Sequence, residues 1–204
     1  LRLPGKHNVE NALAALATCR VLGVDHVQAI DKLNRIAGVP GRMERVELGQ
    51  PWTVIIDYAY EPEALRRLVE ALAVIPYKRL IHVLGSCGGG RDVSRRPLLG
   101  AFAAQHADIV IVTNEDPYDD DPQLIIHQIV EGAVKYGKKL HQNVLMILDR
   151  EEAIQQAMHL AEPGDLVLLT GKGCEPWICV ADGKKLPWNE REAAEKAIRQ
   201  AMHK

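Results

Sequence analysis

The residues best suited to chemistry lie in four short stretches, each following an apolar run. The first is Gly85–Pro97, GSCGGGRDVSRRP, entered from Leu80-Ile81-His82-Val83-Leu84 and followed by Leu98, Leu99, Phe102 and Ala103 at helical spacing. Glycines there allow positive φ and close backbone approach, and the start of the following helix presents free N–H groups to an anion. The stretch lacks the closing Lys-Ser/Thr of a P-loop and the fixed glycine spacing of a dinucleotide fingerprint. A plain strand-to-helix turn with an exposed arginine fits the local pattern equally well. The other three stretches are Asp57-Tyr58-Ala59-Tyr60-Glu61-Pro62, Thr113 to Asp121, and Thr170-Gly171-Lys172-Gly173-Cys174-Glu175. Together they mix Arg91, Arg95 and Lys172 with a surplus of carboxylates. The cations suit a carboxylate or phosphate, while Asp116, Glu175 and their neighbours suit an ammonium group. A zwitterionic amino acid beside a phosphorylated species fits that inventory.

Each residue also has a plainer use. Asp119 to Asp121, before Pro122, suit capping of the next helix. Lys172 between two glycines reads equally as a solvated turn lysine. Asp57 and Glu175 at strand ends can bond local N–H groups. His82 inside an apolar strand reads as a core histidine. With aromatics at 4%, Trp177 and Trp188 read as packing residues.

The elements that must position these loops alternate. The pattern predicts strands over Met43–Leu48, Thr53–Ile56, Leu80–Leu84, Ile109–Val112, Val144–Leu148 and Leu166–Leu169, with a last one over Trp177–Ala181. Between them it predicts helices over Pro62–Val74, Arg95–His106, Gln123–Tyr136, Glu151–Leu160 and Arg191–Met202. Strands separated by helices of this length imply an α/β fold: a mostly parallel sheet with helices on both faces. In such sheets ligands sit beyond the carboxyl ends of the strands, where all four stretches fall.

Upstream lie two further helices. One opens at Gly5-Lys6-His7-Asn8, with Asn8 as cap and an apolar stripe through Leu13, Leu16 and Ala17; the other spans Asp25 to about Ile36. His7, Asn8 and Asn11 suit capping or, since an amide donates and accepts at once, an adenine edge. Gly38-Val39-Pro40-Gly41 breaks the helical pattern and marks a boundary, dividing 1–38 from 39–204. Leu1-Arg2-Leu3-Pro4-Gly5 has no initiator methionine and reads as the tail of a strand and a turn, so an upstream continuation is expected.

Composition limits the classes of function. At 204 residues, 47% hydrophobic, with net charge -2, the chain can bury one good core or two modest ones and does not suit nucleic acid as a bulk electrostatic partner. Cys19, Cys87, Cys174 and Cys179 show no CxxC spacing, so neither a zinc site nor a disulfide scaffold is expected. A reducing cytoplasm is the simplest setting. No apolar run reaches the roughly 18 residues that a membrane helix needs.

Seven motifs together resemble the Mur ligases. They are His7-Asn8-x-x-Asn11 before an Ala/Leu helix, Gly41-Arg42-Met43-Glu44, Asp57-Tyr58-Ala59-x-x-Pro62, Gly89-x-Arg91-Asp92-x-x-x-Arg96-Pro97, Asp116-Pro117, Asp149-Arg150 and Gly171-Lys172-Gly173-x-Glu175. The branch most resembled adds the third peptide residue to UDP-N-acetylmuramoyl-L-alanyl-D-glutamate. The resemblance implies that 1–38 ends a central ATP-binding domain and that 39–204 is a Rossmann-like, amino-acid-binding domain. It implies ATP contacts from His7, Asn8, Asn11, Arg42 and Asp57, and amino-acid contacts from Arg91, Asp116, Tyr118, Gly171 and Glu175. The implied cofactors are ATP and magnesium, the metal's ligands and the P-loop lying upstream, so that 1–204 alone is expected to be inactive. The implied reaction is phosphorylation of a glutamyl carboxylate, then attack on the acyl phosphate by the amine of diaminopimelate, lysine or ornithine. Little covalent work would fall to this chain; positioning and charge neutralisation would.

Three departures stand out: Tyr60 and Cys174 where relatives carry His, and Glu115-Asp116-Pro117-Tyr118 where diaminopimelate users resemble Asp-Asn-Pro-Arg. Tyr118 cannot replace an arginine that grips a distal carboxylate, which makes lysine, ornithine or another diamine without one a candidate, while the retained Arg91 and Glu175 keep diaminopimelate a candidate as well. Other Mur-like amide ligases, of folylpolyglutamate or cyanophycin type, and a non-catalytic amino-acid or nucleotide-binding module fit the same domain pattern.

Overall fold

The computed structural model describes residues 5–36 and 38–203, with His7 described in its backbone alone. Two helices come first, α1 (Lys6–Val21) and α2 (His26–Arg35). Asp25 caps α2, its carboxylate accepting from Gln28 N at 2.9 Å. Asn8, expected as a cap, instead lies inside the first turn of α1, whose N-cap position is Gly5 with no side-chain cap. The expected apolar stripe is not a buried one either: Leu13 is 60% exposed, Ala17 is exposed and Leu16 is half-buried. The pair does enclose a shallow apolar groove between Ala15, Cys19, Val24, Ala29 and Leu33.

From residue 44 onward strands and helices alternate. The strands are β1 (Glu44–Arg45), β2 (Thr53–Asp57), β3 (Leu80–Leu84), β4 (Ile109–Val112), β5 (Val144–Met146), β6 (Leu166–Thr170), β7 (Trp177–Cys179) and β8 (Lys185–Pro187). The helices are α3 (Pro62–Leu72), α4 (Arg95–His106), α5 (Pro122–Lys135), α6 (Arg150–Leu160) and α7 (Glu190–Met202). The main sheet runs β1-β2-β6-β3-β4-β5, with β1 antiparallel and the other pairings parallel. β1 is two residues rather than the expected six, because it pairs only with Ile55 and Ile56 at the sheet edge. The expected strand at Trp177 stays out of this sheet; β7 and β8 make a separate antiparallel hairpin.

Continuous apolar strands are what a sheet covered on both faces requires. Alternate residues of β6 show it: Leu166 and Leu168 join Leu65, Leu99 and Ile126 of α3, α4 and α5, while Val167 and Leu169 join Ile154 and Ile198 of α6 and α7. Caps at the sheet's carboxyl edge set several helix starts. Asp121, Asp149 and Asn189 accept from Gln123 N, Glu152 N and Glu192 N, and Pro62 and Pro122 occupy first-turn positions that need no N–H.

Register fixes what lies at that edge. Asp57 stands opposite Thr170, Val83 opposite Leu169, and Leu84 opposite Val112. The loops leaving β2, β3, β4 and β6 therefore emerge side by side.

Candidate functional site

Two neighbouring features occupy that edge. The first is a cavity of about 560 Å³ lined by Asn8, Asn11, Arg42, Met43, Asp57 and Arg67, among others. Asp57 is buried, its carboxylate accepting from Met43 N at 2.7 Å and Ala59 N at 2.8 Å. It thus ties the Arg42 loop to the end of β2. Arg42 is exposed, its guanidinium 4.6 Å from the centre of the Tyr58 ring, and it makes no ion pair among the described residues. Two guanidiniums and two amides in one cleft suit an anion and a base edge.

The second feature is a buried ammonium between two carboxylates. Lys172 Nζ lies 2.8 Å from Asp116 Oδ2 and 2.7 Å from Glu175 Oε2. Burial pulls the ammonium's pKa down, but its two carboxylates outweigh that and the net direction is up. Burial likewise raises the Glu175 carboxyl, and the bonds from Lys172 and Tyr58 outweigh it, so Glu175 stays ionised. Asp116 Oδ1 accepts from Cys179 N at 2.7 Å, and Tyr58 donates its hydroxyl to Glu175 Oε1 at 2.7 Å. Lys172 is fully buried, whereas the Glu175 side chain is 36% exposed. Two carboxylates against one ammonium leave a negative excess facing solvent, the chemistry that takes up a second ammonium.

The glycine loop supplies the opposite charge. Arg91 is exposed, with its guanidinium 5.6 Å from the Tyr118 ring. Tyr118 has φ +52°, and a Cβ on Gly89 would stand 2.8 Å from its ring, so the ring packs directly against the loop that carries Arg91. Behind the site Gly171, at φ +103°, abuts Glu115: a Cβ there would meet Oε2 at 2.1 Å. Burial pushes the Glu115 carboxyl up, and its Oε1 accepts from Cys87 Sγ at 3.1 Å.

One more buried pair holds these loops in place. Arg150 and Glu190, both fully buried, make two parallel bonds of 2.9 and 2.6 Å. Arg150 also donates to Asn114 O and Thr170 O, and Trp188 Nε1 donates to Glu190. The starts of α6 and α7 are thereby locked to the exits of β4 and β6.

Residues 41–173 match the family description "Mur ligase, glutamate ligase domain". The chain belongs to the Mur ligase family. It is 41% identical over 98% of its length to a UDP-N-acetylmuramoyl-L-alanyl-D-glutamate–2,6-diaminopimelate ligase of Syntrophomonas wolfei, covering 40% of that protein. It is 44% identical over 97% of its length to a UDP-N-acetylmuramyl-tripeptide synthetase of a Roseiflexus species, covering 38% of it. A solved diaminopimelate ligase structure superposes with TM-score 0.69 at 32% identity, over 99% of this chain and 40% of that one. The chain thus spans about two fifths of the length of the relatives it matches.

As a Mur ligase domain, the molecule distributes the sequence-derived residues as follows. Asn8, Asn11, Arg42 and Asp57 share the cavity; the His7 side chain lies outside the described residues. Asp116 and Glu175 meet through Lys172, Gly171 adjoins Glu115, and Arg91 meets Tyr118. Lys172, read also as a solvated turn lysine, is instead among the largest fully buried side chains. Arg95, expected as an edge cation, is buried against Glu61 and Tyr60, and Arg96 is buried against Asp120 and Gln128. His82 is a core histidine, with Nε2 2.9 Å from Thr170 Oγ1. The sequence offered Lys172 as a cation for an anionic ligand, not as the partner of Asp116 and Glu175, and assigned no role to Tyr58, Arg150 or Glu190. Their presence inside or beside the motifs was the only signal; Tyr58 meets Glu175 at a separation of 117 residues, Lys172 meets Asp116 at 56 and Arg150 meets Glu190 at 40.

Proposed function

We propose that the chain is the C-terminal part of an ATP-dependent ligase that joins an amino acid to the glutamyl carboxylate of UDP-N-acetylmuramoyl-L-alanyl-D-glutamate. In this reading 1–38 ends the central ATP-binding domain and 39–204 is the amino-acid-binding domain. The observation that carries it is the Asp116–Lys172–Glu175 cluster with its negative excess, set beside an exposed Arg91 and a cavity holding Arg42 and Asp57. An α-amino acid needs both signs of charge within a few ångströms, and a nucleotide needs the third group.

The residues of the cavity fit a nucleotide. Asn8 and Asn11 would face the base, Arg42 the phosphates and Asp57 the ribose. ATP supplies the phosphoryl group that activates the acceptor carboxylate as an acyl phosphate; magnesium would be held mainly by residues upstream. Asp116 and Glu175 would hold and orient the incoming ammonium, while Arg91 would take its carboxylate. That is catalysis by orientation and fixed charge. The exposed apolar groove of α1 and α2 suits cover by the remainder of the ligase.

For the third residue, the relatives' names include a diaminopimelate ligase and a tripeptide synthetase whose name specifies no amino acid. Tyr118 offers no cation to a distal carboxylate and the cluster is acidic, which favours lysine or ornithine. The test is amide formation by the full-length protein with ATP, magnesium and the UDP-dipeptide. Turnover with lysine or ornithine is expected, with diaminopimelate poor and the 1–204 chain alone inactive. Preference for diaminopimelate would keep the ligase and overturn the reading of Tyr118; no turnover with any of the three would overturn the ligase.

A further inference from the structure

Tyr58 touches both features, the Arg42 side of the cavity and the acidic cluster. On one side its ring carries the Arg42 guanidinium at 4.6 Å; on the other its hydroxyl donates to Glu175 Oε1 at 2.7 Å. The backbones on either side are in contact as well. A Cβ on Gly41 would lie 2.4 Å from Cys174 N, and one on Gly173 would lie 2.8 Å from Tyr58 Cβ. Tyr60 stacks edge-on against the Tyr58 ring at 5.3 Å. The Arg42 loop and the Gly171–Glu175 turn are therefore in direct contact. Buried beside Glu175, the Tyr58 phenol has its pKa raised, so it stays a donor throughout the physiological range.

We propose that Tyr58 is a positioning residue that couples the pockets, so that a nucleoside polyphosphate held by Arg42 strengthens the grip of Asp116 and Glu175 on an incoming ammonium. The inference rests on the ligase reading and deepens it. Both oxygens of Glu175 are engaged, Oε1 by Tyr58 and Oε2 by Lys172. An exposed cation on a ring face is weakly held, whereas a guanidinium–phosphate contact is charge-assisted and bidentate. The phosphate therefore draws Arg42 off the ring. The phenol loses the cation that polarises it, its bond to Glu175 weakens, and Oε1 is released to the ligand. The nucleotide acts on the amine through a difference between two states of one side chain, which is what coupling requires.

The experiment is calorimetric titration of the full-length protein with L-lysine and with meso-diaminopimelate, each with and without saturating ADP and magnesium. The amino acid that binds tighter is then titrated into Tyr58→Phe, which keeps the ring beneath Arg42 and removes the hydroxyl. In the wild type ADP is expected to tighten amino-acid binding by about fivefold or more, at the low end of allosteric couplings. In Tyr58→Phe ADP should still bind, no weaker than to the wild type, and the ratio should fall to unity, the amino acid binding without ADP about as tightly as the wild type binds it with ADP. A merely structural tyrosine would weaken both amino-acid constants and leave their ratio intact, which overturns the proposal alone. So would a wild-type ratio of unity with both ligands bound. Failure of ADP to bind, or of both amino acids to bind even with ADP, would overturn the ligase reading and this inference with it.

Discussion

Two buried ion clusters stand at the same end of the sheet and are built to opposite purposes. Arg150–Glu190 is sealed, with both side chains fully buried and charges matched one to one. Its spare N–H groups go to Asn114 O and Thr170 O, and its spare acceptor capacity to Trp188. Asp116–Lys172–Glu175 is open: one cation serves two carboxylates, and Glu175 keeps a third of its side chain in solvent. Completeness marks the first as a strut. The imbalance of the second is what the proposed ammonium site requires, because a half-buried negative excess favours a second cation.

The sharpest way to break the comparison is Glu190→Ala. It leaves Arg150 buried and unpaired, and about 3–5 kcal/mol of stability should be lost, read as a lower denaturant midpoint with unchanged slope. A loss confined to ligand affinity would mean that the strut is part of the receptor.

The next effect comes from acid. His82 bonds Thr170, whose carbonyl carries Arg150, and burial holds its pKa at about 3 against an ordinary 6.5. Its folded-state value is depressed, so the unfolded chain binds the proton that the folded one refuses. Its contribution is complete above pH 6.5 and drains away as pH falls toward 3, at a slope approaching ~1.4 kcal/mol per pH unit. Urea titrations across that window should show a shallower dependence in His82→Gln than in the wild type.

Lys172→Met tests the open cluster. Two carboxylates lose a charged donor, for about 1–3 kcal/mol of stability, and Asp116 and Glu175 lose their spacing. In the full-length ligase the amino-acid KM should rise about tenfold, or ~1.4 kcal/mol, with the nucleotide KM unmoved. Equal loss on both substrates would make Lys172 a strut like Arg150. The smallest effect is expected at exposed Cys174, where Ser should stay within about 0.5 kcal/mol of the wild type in thermal melts.

Much of this was legible in the chain itself. Unbroken apolar runs such as Leu80–Leu84 and Leu166–Leu169 predicted strands buried on both faces, and the strands lie there. The glycine loop predicted the start of α4 at Arg95. Local patterns succeed where the force is local: periodicity, a cap, a proline at a helix start. The short β1 and the detached β7–β8 hairpin were not legible, since edge pairing depends on which strand happens to be neighbour.

The sequence by itself determined which residues reach the carboxyl edge, because each loop follows a strand of the same direction. It could not determine which of their charges are spent. Lys172 looks solvated between two glycines, yet Asp116, 56 residues away, and Glu175 bury it; Arg95 looks like an available cation, yet Glu61 takes it. Pairing of charges is a matter of distance in space, and only the packed sheet decides that Arg42 and Arg91 stay exposed while Arg95, Arg96 and Arg150 are spent on structural pairs and Lys172 on Asp116 and Glu175.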